Sequence, residues 1–265
     1  MRWLVQFGYD GRPFAGWARQ PGLRTVEGEL LRGLSRLGIV PPAGSAGLAV
    51  ASRTDRGVSA RANAFVITAD LPGGALLRSL NGISPEVTCT AATEVSEEFR
   101  VRRAVRRTYR YFVFQGDHDI GSWERAARLF QGTIDVRSFG RALPAGAPVE
   151  RVVETVTIQE TTGGFVVEVR APSFVWGMVR KIVAALREHD SGRLPLARLE
   201  AAVRGRERLT LPLAPPEGLV LWEVEYPFPW NYHWAGPNRH QRARSQSLAE
   251  SFWVHSHVLK AITEV

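Results

Sequence analysis

Cysteine occurs once in this chain of 265 residues, at Cys89, so an internal disulfide is excluded. No apolar run approaches the length of a membrane span. The start, MRWLVQFGYDG, alternates like a strand and has no continuous apolar stretch of the signal-peptide kind. A cytoplasmic location is the expectation. Histidine is sparse and scattered, at 118, 189, 233, 240, 255 and 257. His255 and His257 are two apart, which on a helix turns them to different sides, so no metal site is expected. A GxxxxGK phosphate loop is missing, and Gly8, Gly11 and Gly16 do not make a dinucleotide fingerprint. No cofactor is expected either. Lysine is nearly absent as well: of 34 basic residues only Lys181 and Lys260 are lysines.

What is abundant is arginine. The net charge is +8, and guanidinium forks match phosphate geometry, which makes a polyanionic partner the expectation. Arg100, Arg102, Arg103, Arg106, Arg107 and Arg110 crowd one stretch with no acid among them. Tyr109, Tyr111 and Phe112 lie within or beside it, a mixture suited to phosphate contact and base stacking. Hydrophobic content of 45% and charged content of 23% are those of a folded globular chain.

Periodicity orders the elements. Residues 2–9 alternate as a strand; Thr25 caps a helix whose Val26, Leu30, Leu31, Leu34 and Leu37 share a face, and Gly38 ends it. Strands are expected near 47–52, at 63–68 and at 88–95, with a short helix at 75–80. The second half begins with a strand at 107–114 and a helix at 123–131. Strands at 152–160 and 165–170 follow, joined by a Thr161–Gly164 hairpin. The spacing predicts a helix over 173–187, with Val175, Met178, Val179, Ile182, Val183 and Leu186 on one stripe. Arg180 falls off that stripe, on the flank of Trp176 four positions earlier. A helix near 196–205 and a strand at 219–226 complete this half. The pattern reads as an α+β fold of two similar halves, 1–103 and 104–226, with antiparallel sheets flanked by helices. Residues 227–265 form an extension, in which Ser247 and Glu250 make a capping box opening a helix.

The most informative position is Asp55, within ASRTDRGVSA. It stands between Arg53 and Arg56 and ahead of the turn-former Gly57, at the end of an expected strand. Neighbouring guanidiniums favour the ionised form of a carboxylate, and an ionised, oriented carboxylate suits nucleophilic or base chemistry. The same residues also suit an ordinary turn between strands.

Five blocks, in this order and spacing, resemble the TruA-type tRNA pseudouridine synthase family over residues 2–226. They are YDGRPFAGWARQ (9–20), SRTDRGVSA (52–60), RRTYRYF (106–112), FVWGMVRKIV (174–183) and, more weakly, APPEGLVLWEVEYP (214–227). The resemblance implies a pseudouridine synthase-like fold and places the family's catalytic aspartate on Asp55. Its base-contacting tyrosine falls on Tyr109, the arginine that pairs with the aspartate on Arg180, and an apolar contact on Leu219. Arg53 and Arg56 would serve the aspartate loop and nearby RNA. Departures are Ser52 for a glycine, Arg56 for a small residue, Ser59 for a histidine, and Trp176–Gly177 where a pair of histidines is usual.

The implied reaction is isomerisation of uridine to pseudouridine in tRNA, at positions 38, 39 and 40 of the anticodon arm, by a cofactor-independent homodimer. The aspartate would add to the base, attack C1′ or remove a C2′ proton; the residues do not choose among these. The competing readings are a non-catalytic RNA-binding protein on the same scaffold and a synthase with a different RNA target. An acid facing a phosphate-rich ligand weakens plain binding, which favours chemistry over binding alone.

Overall fold

The computed structural model describes residues 1–39, 47–84, 86–114, 116–141, 143, 146–234 and 246. The tail helix expected from Ser247 lies outside them, as do Arg239, Arg242 and Arg244. No described helix is long and apolar enough to cross a membrane.

The alternating N-terminus is strand β1 (Arg2–Tyr9), with Trp3, Val5, Phe7 and Tyr9 buried. Helix α1 (Val26–Arg36) is capped as expected: the Thr25 hydroxyl accepts from the amide of Gly28. Then come β2 (Ala49–Val50), β3 (Ser59–Thr68), α2 (Gly73–Leu80) and β4 (Val87–Glu94). The second half contributes β5 (Arg106–Phe114), α3 (Ile120–Arg128), β6 (Gly132–Asp135), β7 (Glu150–Val153), β8 (Thr155–Thr161) and β9 (Gly164–Ala171). It continues with α4 (Met178–Asp190), α5 (Leu196–Val203) and β10 (Leu219–Glu225), and β11 (Tyr232–His233) follows in the extension.

One large sheet runs through the molecule in the order β11-β4-β1-β3-β10-β5-β9-β8, with β2 on β3. Strands β4, β1 and β3 lie on one side and β10, β5, β9 and β8 on the other, while β11, from beyond residue 226, adds to the outer edge of β4. The two sides meet where β10 lies parallel to β3, pairing Val220 with Ser59 and Leu221 with Ala60. Every other ladder among the described residues is antiparallel. The fold is therefore α+β, with helices flanking an antiparallel sheet. The seam between the halves brings distant segments together, because the Asp55 loop leads directly into β3 and Leu219 opens β10.

Two local expectations need correction. The strand expected at 152–160 is two strands in two sheets: β7 pairs with β6, and β8 with β9. They part at Glu154, whose carboxylate is bound by Arg106. The helix expected from 173 begins only at Met178, because Gly177 takes φ +76°, a left-handed conformation in which a helix cannot continue. Residues 173–177 are loop, although their apolar spacing mimics a helical stripe. Phe14 and Trp17, in the loop after β1, are core residues at 2% and 1% exposure.

Candidate active site

Asp55 sits on the turn between Val50 and β3, closed by a hydrogen bond from the amide of Val58 to its carbonyl. Gly57 supplies the positive φ, +79°, that the turn requires. The loop is tied down on both sides. Asn63, fully buried on β3, donates its side-chain amide to the carbonyl of Ser52 and accepts from the Ser52 amide. Tyr9 hydroxyl meets Thr54 Oγ1 at 2.7 Å, and the amide of Trp17 reaches the Thr54 carbonyl. The carboxylate is thus carried on a backbone with little freedom.

Each carboxylate oxygen has its own donor. Arg180 Nη1 lies 2.9 Å from Asp55 Oδ2, and the Trp176 indole Nε1 donates to Oδ1 at 2.7 Å. Arg180 is itself braced, because its Nε donates to the carbonyl of Ala214 at 2.6 Å. The pair is partly shielded from water, with side chains 26% exposed for Asp55 and 12% for Arg180. Arg53 and Arg56, expected to hold the carboxylate, do not: among the described residues no ion pair joins either to Asp55. Both are exposed and line the first of two cavities beside it.

Two adjoining cavities open beside Asp55, of about 770 Å³ and 720 Å³. They share Asp55, Arg53, Thr54, Trp176 and Arg180 in their walls. The first is electropositive, with five arginines (Arg12, Arg53, Arg56, Arg141, Arg180) against Asp55 and Glu217. The second carries Tyr109, Phe174, Val175, Met178 and Leu219 in its wall, along with Arg53, Arg102, Arg107 and Arg180. Tyr109 comes from the middle of β5; its hydroxyl meets Ser52 Oγ at 2.8 Å and its ring packs edge-on against Phe174. Burial raises its phenol above the ordinary tyrosine value, against a smaller opposing effect of the Ser52 bond, so the ring faces the cavity uncharged. Leu219, opposite Tyr111 at the start of β10, lines the same cavity at 6% exposure. The structure therefore gathers Asp55, Tyr109, Arg180 and Leu219 at the seam of the sheet from four separate segments.

A carboxylate clamped between two arginine-bearing cavities, one of them also lined by Tyr109 and Phe174, fits a ligand that carries both phosphate and a flat ring. The comparisons with known proteins agree. A family model described as tRNA pseudouridine synthase matches residues 126–227. The tRNA pseudouridine synthase A of Thermococcus kodakarensis is 39% identical, over 86% of this chain and 85% of that one. The chain belongs to the tRNA pseudouridine synthase family. It is thereby a member of an isomerase family. The synthase of the same name from Pyrococcus furiosus is 34% identical over 97% of this chain and 94% of its own, and that of Methanosphaerula palustris 36% over 91% and 89%. Among solved structures, a Cbf5–Nop10–Gar1 complex overlaps only loosely, with a TM-score of 0.36 at 14% identity, covering 68% of this chain and 44% of that one.

Sequence reasoning missed two features. It did not find Trp176 on the carboxylate, because the apolar spacing around it read as helix; the isolated Gly177 inside that run was the available signal. It also overstated the basic run at 100–110. Arg107 is buried and donates to the carbonyls of Ala51, Arg102 and Pro172, which binds the Asp55 loop to its neighbours. Arg106 and Arg110 are engaged by glutamates. Arg102 is an exposed member of the run that lines the cavity.

Proposed function

We propose that this protein isomerises uridine to pseudouridine in tRNA, acting without a cofactor on positions 38, 39 and 40 of the anticodon arm. We further propose that it works in the cytoplasm as a homodimer. The observation that carries the reading is the Asp55 carboxylate, held by Arg180 at 2.9 Å beside the ring of Tyr109 in a cavity of about 720 Å³. That volume accommodates a single nucleoside withdrawn from its stack.

The roles follow from position. Extruding a base costs a few kcal/mol. Stacking on Tyr109 offsets part of that, at about 1–3 kcal/mol per base–aromatic contact. Leu219 supplies an apolar edge to the same pocket. Asp55 acts on the flipped nucleotide as an anion, and Arg180 keeps it aimed and charge-balanced. Arg53, Arg56 and Arg102, exposed around the mouth, meet the phosphates. The N-glycosidic bond breaks and the base rejoins the ribose through carbon, so no electron acceptor or group donor is needed.

The test is product mapping on anticodon-arm transcripts with wild type and Asp55→Asn. Wild type should convert uridines at 38–40, while the variant binds the transcripts comparably and converts none. Conversion confined to other uridines would replace the proposed target. Binding without product by wild type on every tRNA would leave an RNA-binding protein instead.

A further inference from the structure

Trp176 is an unusual neighbour for a carboxylate in a nucleic-acid site. Its side chain is half exposed, 52%, yet it stays out of the core and points its indole N–H at Asp55 Oδ1. Its pose is built by several contacts. The guanidinium of Arg141 covers the ring at 4.7 Å from its centroid, and the Arg141 amide donates to the Trp176 carbonyl at 2.9 Å. Lys181 holds the loop that presents Arg141, donating to the carbonyls of Ser138 and Gly140 at 3.2 Å each. Gly177 then turns the chain so that Trp176 and Arg180 approach Asp55 from different backbone directions.

We infer that Trp176 is a positioning residue for the Asp55 carboxylate in the reaction proposed above, on which this role rests. Rotation about the Cβ–Cγ bond of an aspartate is broad and two-fold, so a single contact through Oδ2 leaves the carboxylate plane free to rock. A second donor on Oδ1 removes that freedom. The indole suits the task because it only donates: it cannot accept the proton or compete as a base. Each oxygen keeps a further lone pair, so the clamp fixes direction without using up the group.

The experiment measures single-turnover rate at saturating tRNA, and tRNA affinity, for the full chain. Trp176→Phe keeps a ring for Arg141 but has no N–H. Its rate should fall about tenfold, the scale of one hydrogen bond to a charged group, with affinity within about twofold of wild type. Trp176→His restores a ring N–H of similar reach and should recover most of the rate. Weaker binding with an unchanged saturated rate would overturn the inference and make Trp176 an RNA-stacking contact. Unchanged rate and affinity would also overturn it. If wild type makes no product, the proposed function fails, and the clamp is then judged without turnover. The Trp176 indole N–H signal, assigned by its loss in Trp176→Phe, should move upfield in Asp55→Ala; a signal that stays put would refute the contact.

Discussion

The two faces of β5 hold two carboxylates that both pair with arginine and differ in kind. On one face, near Tyr109, Asp55 has one guanidinium and one indole, and its side chain remains 26% exposed at the junction of two cavities. On the other, Glu168 has two guanidiniums, from Arg110 at 2.7 Å and Arg170 at 2.9 Å, and its side chain is 4% exposed. Arg110 also lies over the ring of Trp222, 3.9 Å from the centroid, with Arg61 at 4.7 Å. The acid there is answered wholly from within the protein. Arginine pairing alone therefore does not single out a candidate site; pairing that leaves the acid facing a cavity does.

The largest effect that would sharpen this contrast is at Arg180. Arg180→Ala leaves a shielded carboxylate without its counter-charge and should lower the pseudouridylation rate by at least about 10³-fold. Arg180→Lys keeps the charge but cannot reach both Asp55 and the Ala214 carbonyl, and should fall between. Equal rates for Arg180→Ala and wild type, measured by tritium release or product mapping, would break the assignment. Next comes Tyr109. Loss of the ring in Tyr109→Leu should cost roughly 1–3 kcal/mol in kcat/KM, about 5- to 160-fold. Tyr109→Phe, which loses only the bond to Ser52, should stay within about fivefold, because one neutral hydrogen bond is worth ~1 kcal/mol.

The smallest effects separate two arginines of one run. Arg110→Met should lower thermal stability by about 1–2 kcal/mol and leave the rate per folded molecule alone. Arg102→Gln should leave stability alone and reduce the slope of log affinity for tRNA against log salt by roughly 0.9. A salt slope that changes in Arg110→Met and not in Arg102→Gln would exchange their roles.

Much of the architecture was legible because it rests on local chemistry. The alternation at 2–9, the Thr25 cap and the hairpin at Thr161–Gly164 each specify their element within a few residues. The pairing of Asp55 with Arg180 was legible only through resemblance to a family, since 125 residues separate them and no spacing encodes that contact. For the arginines of the 100–110 run, alternation made legible that Arg107 shares a side with Tyr109, but not which partners engage the others. Alternation along β5 puts Arg107 inside with Tyr109 and sends Arg106 and Arg110 to the opposite face, and their glutamate partners come from elsewhere in the chain. The start of α4 was misread for a similar reason. Val175 and Met178 fit a helical stripe, while the left-handed turn at Gly177 that delivers Trp176 to Asp55 depends on one backbone angle.

The most direct test puts both carboxylates in one experiment, measuring pseudouridine formation and melting temperature for Asp55→Asn and Glu168→Gln. Asp55→Asn should form no product while melting within about 2 °C of wild type, as a partly exposed site allows. Glu168→Gln should melt roughly 5 °C lower and retain its rate per folded molecule. Product from Asp55→Asn at the wild-type rate, or its loss from folded Glu168→Gln instead, would contradict the account.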